Sequence, residues 1–67
     1  MATLKQLRES QKLSQINVGS ELHVDRSTVS KWESGENRPP YEALIPLSRL
    51  YRVSIERLIE VITGVVA

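Results

Sequence analysis

The sequence has no cysteine, a single histidine and only three aromatic residues, and it contains no long apolar run. Without cysteine the chain has neither a disulfide nor a thiolate ligand for zinc, and one histidine with eight acidic residues forms no recognisable metal cluster. No stretch approaches the roughly 20 apolar residues that cross a bilayer, and the N-terminal segment lacks a signal-peptide core. We therefore expect a soluble, cytoplasmic domain that holds no metal and no cofactor.

The length and the charge balance limit the function further. Sixty-seven residues make one small domain with a thin core, and pockets of roughly 300–1,000 Å³ need more walls than such a chain supplies. We therefore do not expect an enzyme. Nine basic residues stand against eight acidic ones, for a net charge of +1. A nucleic-acid partner would require the basic residues to gather on one face.

Capping residues and apolar spacing predict five short helices and no strand. The first helix starts after Thr3, whose capping box is completed by Gln6, and it fades near Lys12. The other helices are predicted at residues 15–22, 26–34, 41–51 and 55–63. Their N-caps and C-terminal glycines are Ser14, Asp25, Ser54, Gly35 and Gly64. Pro46 lies within the fourth helix and is expected to bend it or to offset its start.

Each helix is expected to turn its apolar residues towards a shared core. In the first four helices these residues are Leu4, Leu7, Val18, Leu22, Val29, Trp32, Leu44 and Leu47, joined by Tyr51 or Leu50. In the fifth helix the i, i+3, i+4, i+7 rule selects Ile55, Leu58, Ile59 and Ile62. Val61 then points away from the core.

The second and third helices are predicted to pack closely across a turn of about three residues. Short helices approach each other closely only where a side chain is small, and Gly19 supplies that position. The first turn of the third helix is left exposed and presents Arg26, Ser27 and Thr28, with Lys31 one turn later. Such donors and small hydroxyls suit base edges in a DNA major groove.

The residues that build this helix pair form a recognisable pattern: Ser14-Gln15, Val18-Gly19, Leu22, Val24, residues 27–33 and Gly35. A second set follows at Pro40, Leu44, Leu47 and residues 53–58. Over residues 4–60 the chain resembles the Cro/CI-like phage repressors, also called the Xre family. The resemblance implies a compact all-α, five-helix domain of the lambda-repressor type across residues 1–67. Its helix-turn-helix, made by helices 2 and 3, would bind operator DNA as a dimer.

The resemblance also implies roles for single residues, each of which is otherwise an ordinary surface residue. The base-reading positions in the major groove are Arg26, Ser27 and Lys31, with Thr28 as a secondary candidate. The phosphate-contacting positions are Gln15, Ser34, Asn37 and Arg38. Arg8 and Glu33 stand where the family often pairs an arginine of helix 1 with a glutamate at the end of helix 3. The alternative is that they are two unrelated exposed charges.

The sequence departs from the family pattern at two turns. His23 stands where glycine is common, and Arg52 replaces a residue that is often small or left-handed. We expect a left-handed backbone at these positions, at some conformational cost. The loop through Glu36 is also less basic than is usual in the family.

The apolar end of the chain suggests a partner. Val61, Val65 and Val66 extend the apolar character beyond the predicted core face, and we expect a symmetric dimer contact within residues 61–67. The sequence thus predicts a regulator of transcription, a repressor, that binds a pseudo-palindromic site in double-stranded DNA as a homodimer without catalysis. The alternative from another class is a protein-interaction module, such as an antitoxin or anti-repressor, whose main partner is another protein.

Overall fold

The helices of the chain follow the predicted order. The computed structural model describes residues 2–65, and within them it contains α1 (Leu4–Ser10), α2 (Gln15–Leu22), α3 (Arg26–Ser34), α4 (Tyr41–Tyr51) and α5 (Ile55–Thr63), with no strand. The all-α, five-helix prediction is confirmed, and the bounds of the last four helices are those predicted. The first helix ends slightly earlier than expected, because Lys12 adopts a left-handed backbone with φ of 57°.

Side-chain caps fix the starts of three helices. Thr3 and Gln6 form the predicted capping box at α1, and Ser14 forms a second one with Asn17 at α2. Ser54 accepts a hydrogen bond from the Arg57 N–H at the start of α5. The expectation for Asp25 is only half right. It occupies the N-cap position of α3, but its side chain makes no cap hydrogen bond, so its carboxylate acts on this helix through its charge alone.

The turns after α2 and α4 use the left-handed backbone that was expected of them. His23 has φ and ψ of 59° and 42°, and Arg52 has 56° and 43°. Gly35 and Gly64 end α3 and α5 in the same region, with φ of 84° and 73°. The turns at His23 and Arg52 let α2 pack on α3 and α4 pack on α5, because each reverses the chain sharply within one residue.

The core lies where all five helices meet. Helix α2 packs on α3, α4 packs on α5, and α1 contacts α3, α4 and α5. The side chains that are fully buried are Val18, Val29, Leu47 and Leu58. Tyr51 rather than Leu50 is the fully inward residue at the end of α4, and Ala43 and Ser48 are also buried. Pro46 lies within α4 without changing the predicted bounds of that helix.

The inward face predicted for α5 is right for Leu58 and Ile62 but wrong for Ile55, Ile59 and Val61. Ile55 and Ile59 are 39% and 42% exposed, whereas Leu58 is buried and Val61 and Ile62 pack against the core. The apolar residues of α5 form two overlapping stripes, both with helical spacing, and the packing of α1 and α4 covers the stripe that contains Val61. Val61 therefore packs against the core, and Ile55 and Ile59 form the exposed stripe of α5.

Two kinds of feature are absent from residues 2–65, a membrane-spanning helix and a metal-binding cluster. None of the helices within residues 2–65 has the length and apolar character to cross a membrane. No group of three or more acidic, histidine or cysteine side chains in the same range is arranged to hold a metal ion.

Candidate nucleic-acid interface

The geometry of the helix pair depends on Gly19. A Cβ atom at this position would lie 2.6 Å from the carbonyl oxygen of Val24, far inside van der Waals contact with backbone. The Val24 N–H donates to the Gly19 carbonyl at 2.9 Å, which closes the turn after α2. The absence of a side chain at Gly19 thus allows α2 to approach the start of α3 closely, as the sequence predicted.

Helix α3 divides into a buried face and an exposed face. Val29 and Trp32 are 1% and 6% exposed and point into the core. Arg26, Ser27 and Lys31 are exposed, and these are the residues predicted to read bases. Helix α3 therefore offers solvent a surface of basic and hydroxyl side chains.

Thr28 differs from its neighbours on α3. It is half-buried, whereas Ser27 before it is exposed. Its side chain is therefore the less accessible of the two hydroxyls in the first turn of α3.

Gln15 joins the first turns of α2 and α3. Its Oε1 accepts a hydrogen bond from Arg26 Nη1 at 3.1 Å, and its Nε2 donates to Glu33 Oε1 at 2.9 Å. The family resemblance implied separate roles for these three residues and did not predict that they are in contact. Gln15 is 11 positions from Arg26 and 18 positions from Glu33 along the chain. Capping residues and apolar spacing do not identify such contacts, because the contacts depend on how two helices cross.

Arg8 and Glu33 form an ion pair between α1 and α3. Arg8 Nε lies 2.6 Å from Glu33 Oε2, and Arg8 Nη2 lies 3.3 Å from Glu33 Oε1. The two side chains are only 9% and 7% exposed. A third guanidinium hydrogen bond runs from Arg8 Nη1 to the Leu13 carbonyl at 2.9 Å. The hydrogen bond to Glu33 raises the pKa of Arg8 above its ordinary value, against the opposing effect of burial.

The end of α3 and the loop after it hold the remaining phosphate-contact candidates. Ser34, Asn37 and Arg38 are exposed. The Ser34 hydroxyl donates to the Lys31 carbonyl at 3.1 Å, and the Asn37 N–H donates to the same carbonyl at 3.2 Å. Lys31 Nζ lies 3.8 Å from Glu36 Oε2, a contact that the sequence did not predict. This acidic neighbour reduces the positive potential beside Lys31.

Most of the predicted site residues fall into three groups, and Ser27 and Thr28 lie outside them in the first turn of α3. Arg26, Gln15, Glu33 and Arg8 form one continuous hydrogen-bonded series from the surface into the core. The residues around the loop after α3 form a second group. Of the residues predicted for dimerisation, Val61 packs against the core, Val65 is 66% exposed, and Val66 lies outside the described residues.

Five helices with an exposed third helix crossing a tightly packed second helix define a helix-turn-helix domain. The helix-turn-helix family model matches residues 4–58, and the chain belongs to this family. The match confirms the resemblance to the Cro/CI-like, or Xre, type. The family is one of DNA-binding transcriptional regulators.

Curated relatives agree with this assignment. The chain is 40% identical over 56 residues to the HTH-type transcriptional activator BcrR of Enterococcus faecalis, a match that covers 84% of this chain and 28% of the relative. Two uncharacterized HTH-type transcriptional regulators of Bacillus subtilis (strain 168), YobD and YqaE, are 30% and 33% identical. Their matches cover 84% and 85% of this chain but 50% and 49% of the relatives. The chain therefore spans half or less of these relatives. No solved structure matches it with significance.

Proposed function

We propose that the chain is a sequence-specific, double-stranded-DNA-binding transcriptional regulator whose α3 enters the major groove. The observation that carries this proposal is the exposed face of α3, where Arg26, Ser27 and Lys31 stand opposite the buried Val29 and Trp32. A helix in the major groove needs this division, because one face must pack on its own domain while the other meets base edges.

Each exposed residue has a role suited to its chemistry. Arg26 would read guanine through two parallel hydrogen bonds, with Ser27 and Lys31 reading neighbouring bases and Thr28 in a secondary position. The residues proposed to contact phosphates are Gln15, Ser34, Asn37 and Arg38. Phosphate contacts supply much of the affinity and make it fall steeply with salt.

We further propose that two copies bind a pseudo-palindromic operator in the cytoplasm and repress transcription. A net charge of +1 gives one copy little affinity for DNA, whereas two linked copies bind with a high effective concentration. Ile55 and Ile59 on α5 and Val65 just after it are exposed apolar side chains that a second copy would cover. Repression is the simpler outcome, because it requires only that the bound protein occupy the promoter.

The test is selection of bound duplexes from a random pool by the isolated chain at near-physiological salt, with Arg26→Ala in parallel. We expect a two-fold symmetric site whose half-sites lie about 34 Å apart. Arg26→Ala should relax one base pair in each half-site by about 1–3 kcal/mol. Ile16→Ala, which removes an exposed side chain of α2, serves as the control that leaves the selected site unchanged.

Failure to enrich any sequence, with binding lost in modest salt, would contradict the proposal. The exposed apolar residues of α5 would then favour the second candidate function, a protein-interaction module whose partner docks on that helix. A reporter gene placed behind the selected site separates repression from activation.

A further inference from the structure

We infer that Gln15 and Glu33 are positioning residues that hold the Arg26 guanidinium in place and so determine base selectivity without reading a base. The inference rests on the proposed function, since it concerns how Arg26 is presented to DNA. It assigns the buried ion pair of Arg8 and Glu33 a role in recognition beyond its role in stability.

The direction of each hydrogen bond follows from the chemistry of the groups. A carboxylate has no hydrogen to donate, so Glu33 Oε1 can only accept. Gln15 must therefore turn its Nε2 towards Glu33, at 2.9 Å, and this leaves its Oε1 on the opposite side. Arg26 has only donors, and its Nη1 meets that oxygen at 3.1 Å.

The opposite orientation of the Gln15 amide loses both contacts. It would set the amide oxygen against the Glu33 carboxylate, so that one acceptor faces another. It would also set the amide NH₂ against the Arg26 guanidinium, so that one donor faces another. Glu33 thus selects the amide orientation that offers an acceptor to Arg26. Glu33 thus acts on Arg26 through the neutral side chain of Gln15. The hydrogen bond to Gln15 keeps the Arg26 guanidinium near α2.

Glu33 can perform this role because it is itself fixed. Its side chain is 7% exposed and receives hydrogen bonds from Arg8 Nε and Nη2. Arg8 is anchored in turn to the Leu13 carbonyl at 2.9 Å. The series begins at a nearly buried, charge-assisted pair and ends at an exposed arginine. A side chain that is ordered before binding loses less rotamer freedom when it meets its target.

A simple phosphate contact by Gln15 makes a different prediction. Gln15 Nε2 carries two hydrogens, of which one is used by Glu33, so the second is free to donate to a phosphate. Loss of a phosphate contact weakens binding to all sequences alike. Loss of a positioning contact reduces the preference for the base that Arg26 reads, and it has no such effect once Arg26 is removed.

The experiment measures affinity for the selected operator and for its three variants at the base pair that Arg26 reads. The proteins are the unsubstituted chain, Gln15→Met, Arg26→Ala and the double variant, with Ser34→Ala as the matched loss of a proposed phosphate contact. We expect Gln15→Met to lower discrimination among the four bases by about threefold or more. In the Arg26→Ala background the same change should leave the remaining discrimination unaltered, and Ser34→Ala should weaken all four sites equally.

A second variant tests the part played by Glu33. Removal of Glu33 alone would leave the Arg8 charge buried and unpaired, so Arg8→Met and Glu33→Met are made together, and thermal unfolding checks that the fold is retained. This pair of substitutions removes the acceptor for Gln15 without touching Gln15 or Arg26. We expect discrimination to fall by the same factor as in Gln15→Met.

A readout without DNA separates this inference from the proposed function. Nitrogen-15 relaxation at Arg26 Nε should show a more mobile side chain in Gln15→Met and in the Arg8→Met, Glu33→Met protein than in the unsubstituted chain. Unchanged mobility, or affinity that falls equally for every base, would overturn the inference while the DNA-binding proposal stands. Absence of any selected sequence would overturn the proposed function, and the relaxation measurement would still decide whether Arg26 is held.

Discussion

Arg8 Nε lies 2.6 Å from Glu33 Oε2, and this ion pair ties α1 to the last turn of α3. Because the side chains are only 9% and 7% exposed, removal of one partner leaves the other charge in poor contact with water. We expect Glu33→Met alone to cost about 3 kcal/mol of unfolding free energy, whereas Arg8→Met and Glu33→Met together should cost much less. A double-mutant cycle by urea unfolding measures the coupling, and a value below about 0.3 kcal/mol would contradict a nearly buried pair.

The chain offers a matched control for this measurement. Arg57 Nη1 lies 3.6 Å from Glu60 Oε1, and these side chains are 47% and 30% exposed. Their longer separation and greater exposure to water predict a coupling of about 0.5 kcal/mol or less, which salt should screen. A similar coupling for both pairs would mean that burial does not strengthen the interaction between Arg8 and Glu33.

Gly19→Ala should destabilise the fold although alanine is the better helix former. In an open helix this change would stabilise by about 0.5–1 kcal/mol. Here the new Cβ would lie 2.6 Å from the Val24 carbonyl oxygen, so α2 and the turn must separate. We expect a net loss of about 1–3 kcal/mol in urea unfolding. Ser20→Ala, at an exposed neighbouring position, is the control, and equal stability of both variants would argue against the close crossing.

The helix ends were predictable because their signals are local. Thr3, Ser14, Ser54, Gly35 and Gly64 each act within a few residues of the boundary that they mark, and the structure uses all of them. The same holds for the exposed face of α3, which follows once the inward residues of that helix are known. Local chemistry thus fixes both the elements and the residues that α3 presents.

The orientation of α5 and the contacts of Gln15 could not be predicted in the same way. Two apolar stripes on α5 have the same helical spacing, and only the positions of α1 and α4 decide that Val61 rather than Ile59 is covered. The bonds of Gln15 to Glu33 and Arg26 join residues on two helices. Their existence depends on a crossing angle that no local pattern specifies.

Tyr51 predicts a loss of stability in alkaline solution. Burial raises its pKa to about 12, with the Glu33 carboxylate adding to the rise and Arg8 opposing it. An unfolded tyrosine titrates near pH 10, so the folded state holds this proton more tightly. The resulting stabilisation is fully present below about pH 10 and is lost as pH rises towards 12.

Tyr51→Phe tests this pH dependence because phenylalanine cannot ionise. Unfolding free energies are measured by urea between about pH 9 and 11.5, and the variant should decline less steeply than the unsubstituted chain. Lysine titration is common to both proteins and cancels in the difference. Tyr41→Phe, on a side chain that is 79% exposed, should leave the decline unchanged. Parallel curves for the unsubstituted chain and Tyr51→Phe would show that Tyr51 does not ionise more easily in the unfolded state.

The proposed dimer can be tested at the exposed stripe of α5. Ile59 is 42% exposed and lies one turn after Ile55, which is 39% exposed, so a glutamate at this position should enter a subunit contact without entering the core. Burying its unpaired charge should raise the dimer dissociation constant by at least about tenfold in sedimentation equilibrium. Ile16→Glu makes the same change on α2, at a side chain that is 64% exposed, and should leave the dimer intact. A dimer that survives Ile59→Glu but not Ile16→Glu would place the subunit contact on α2. A chain that stays monomeric at all concentrations would remove the cooperative basis proposed for operator binding.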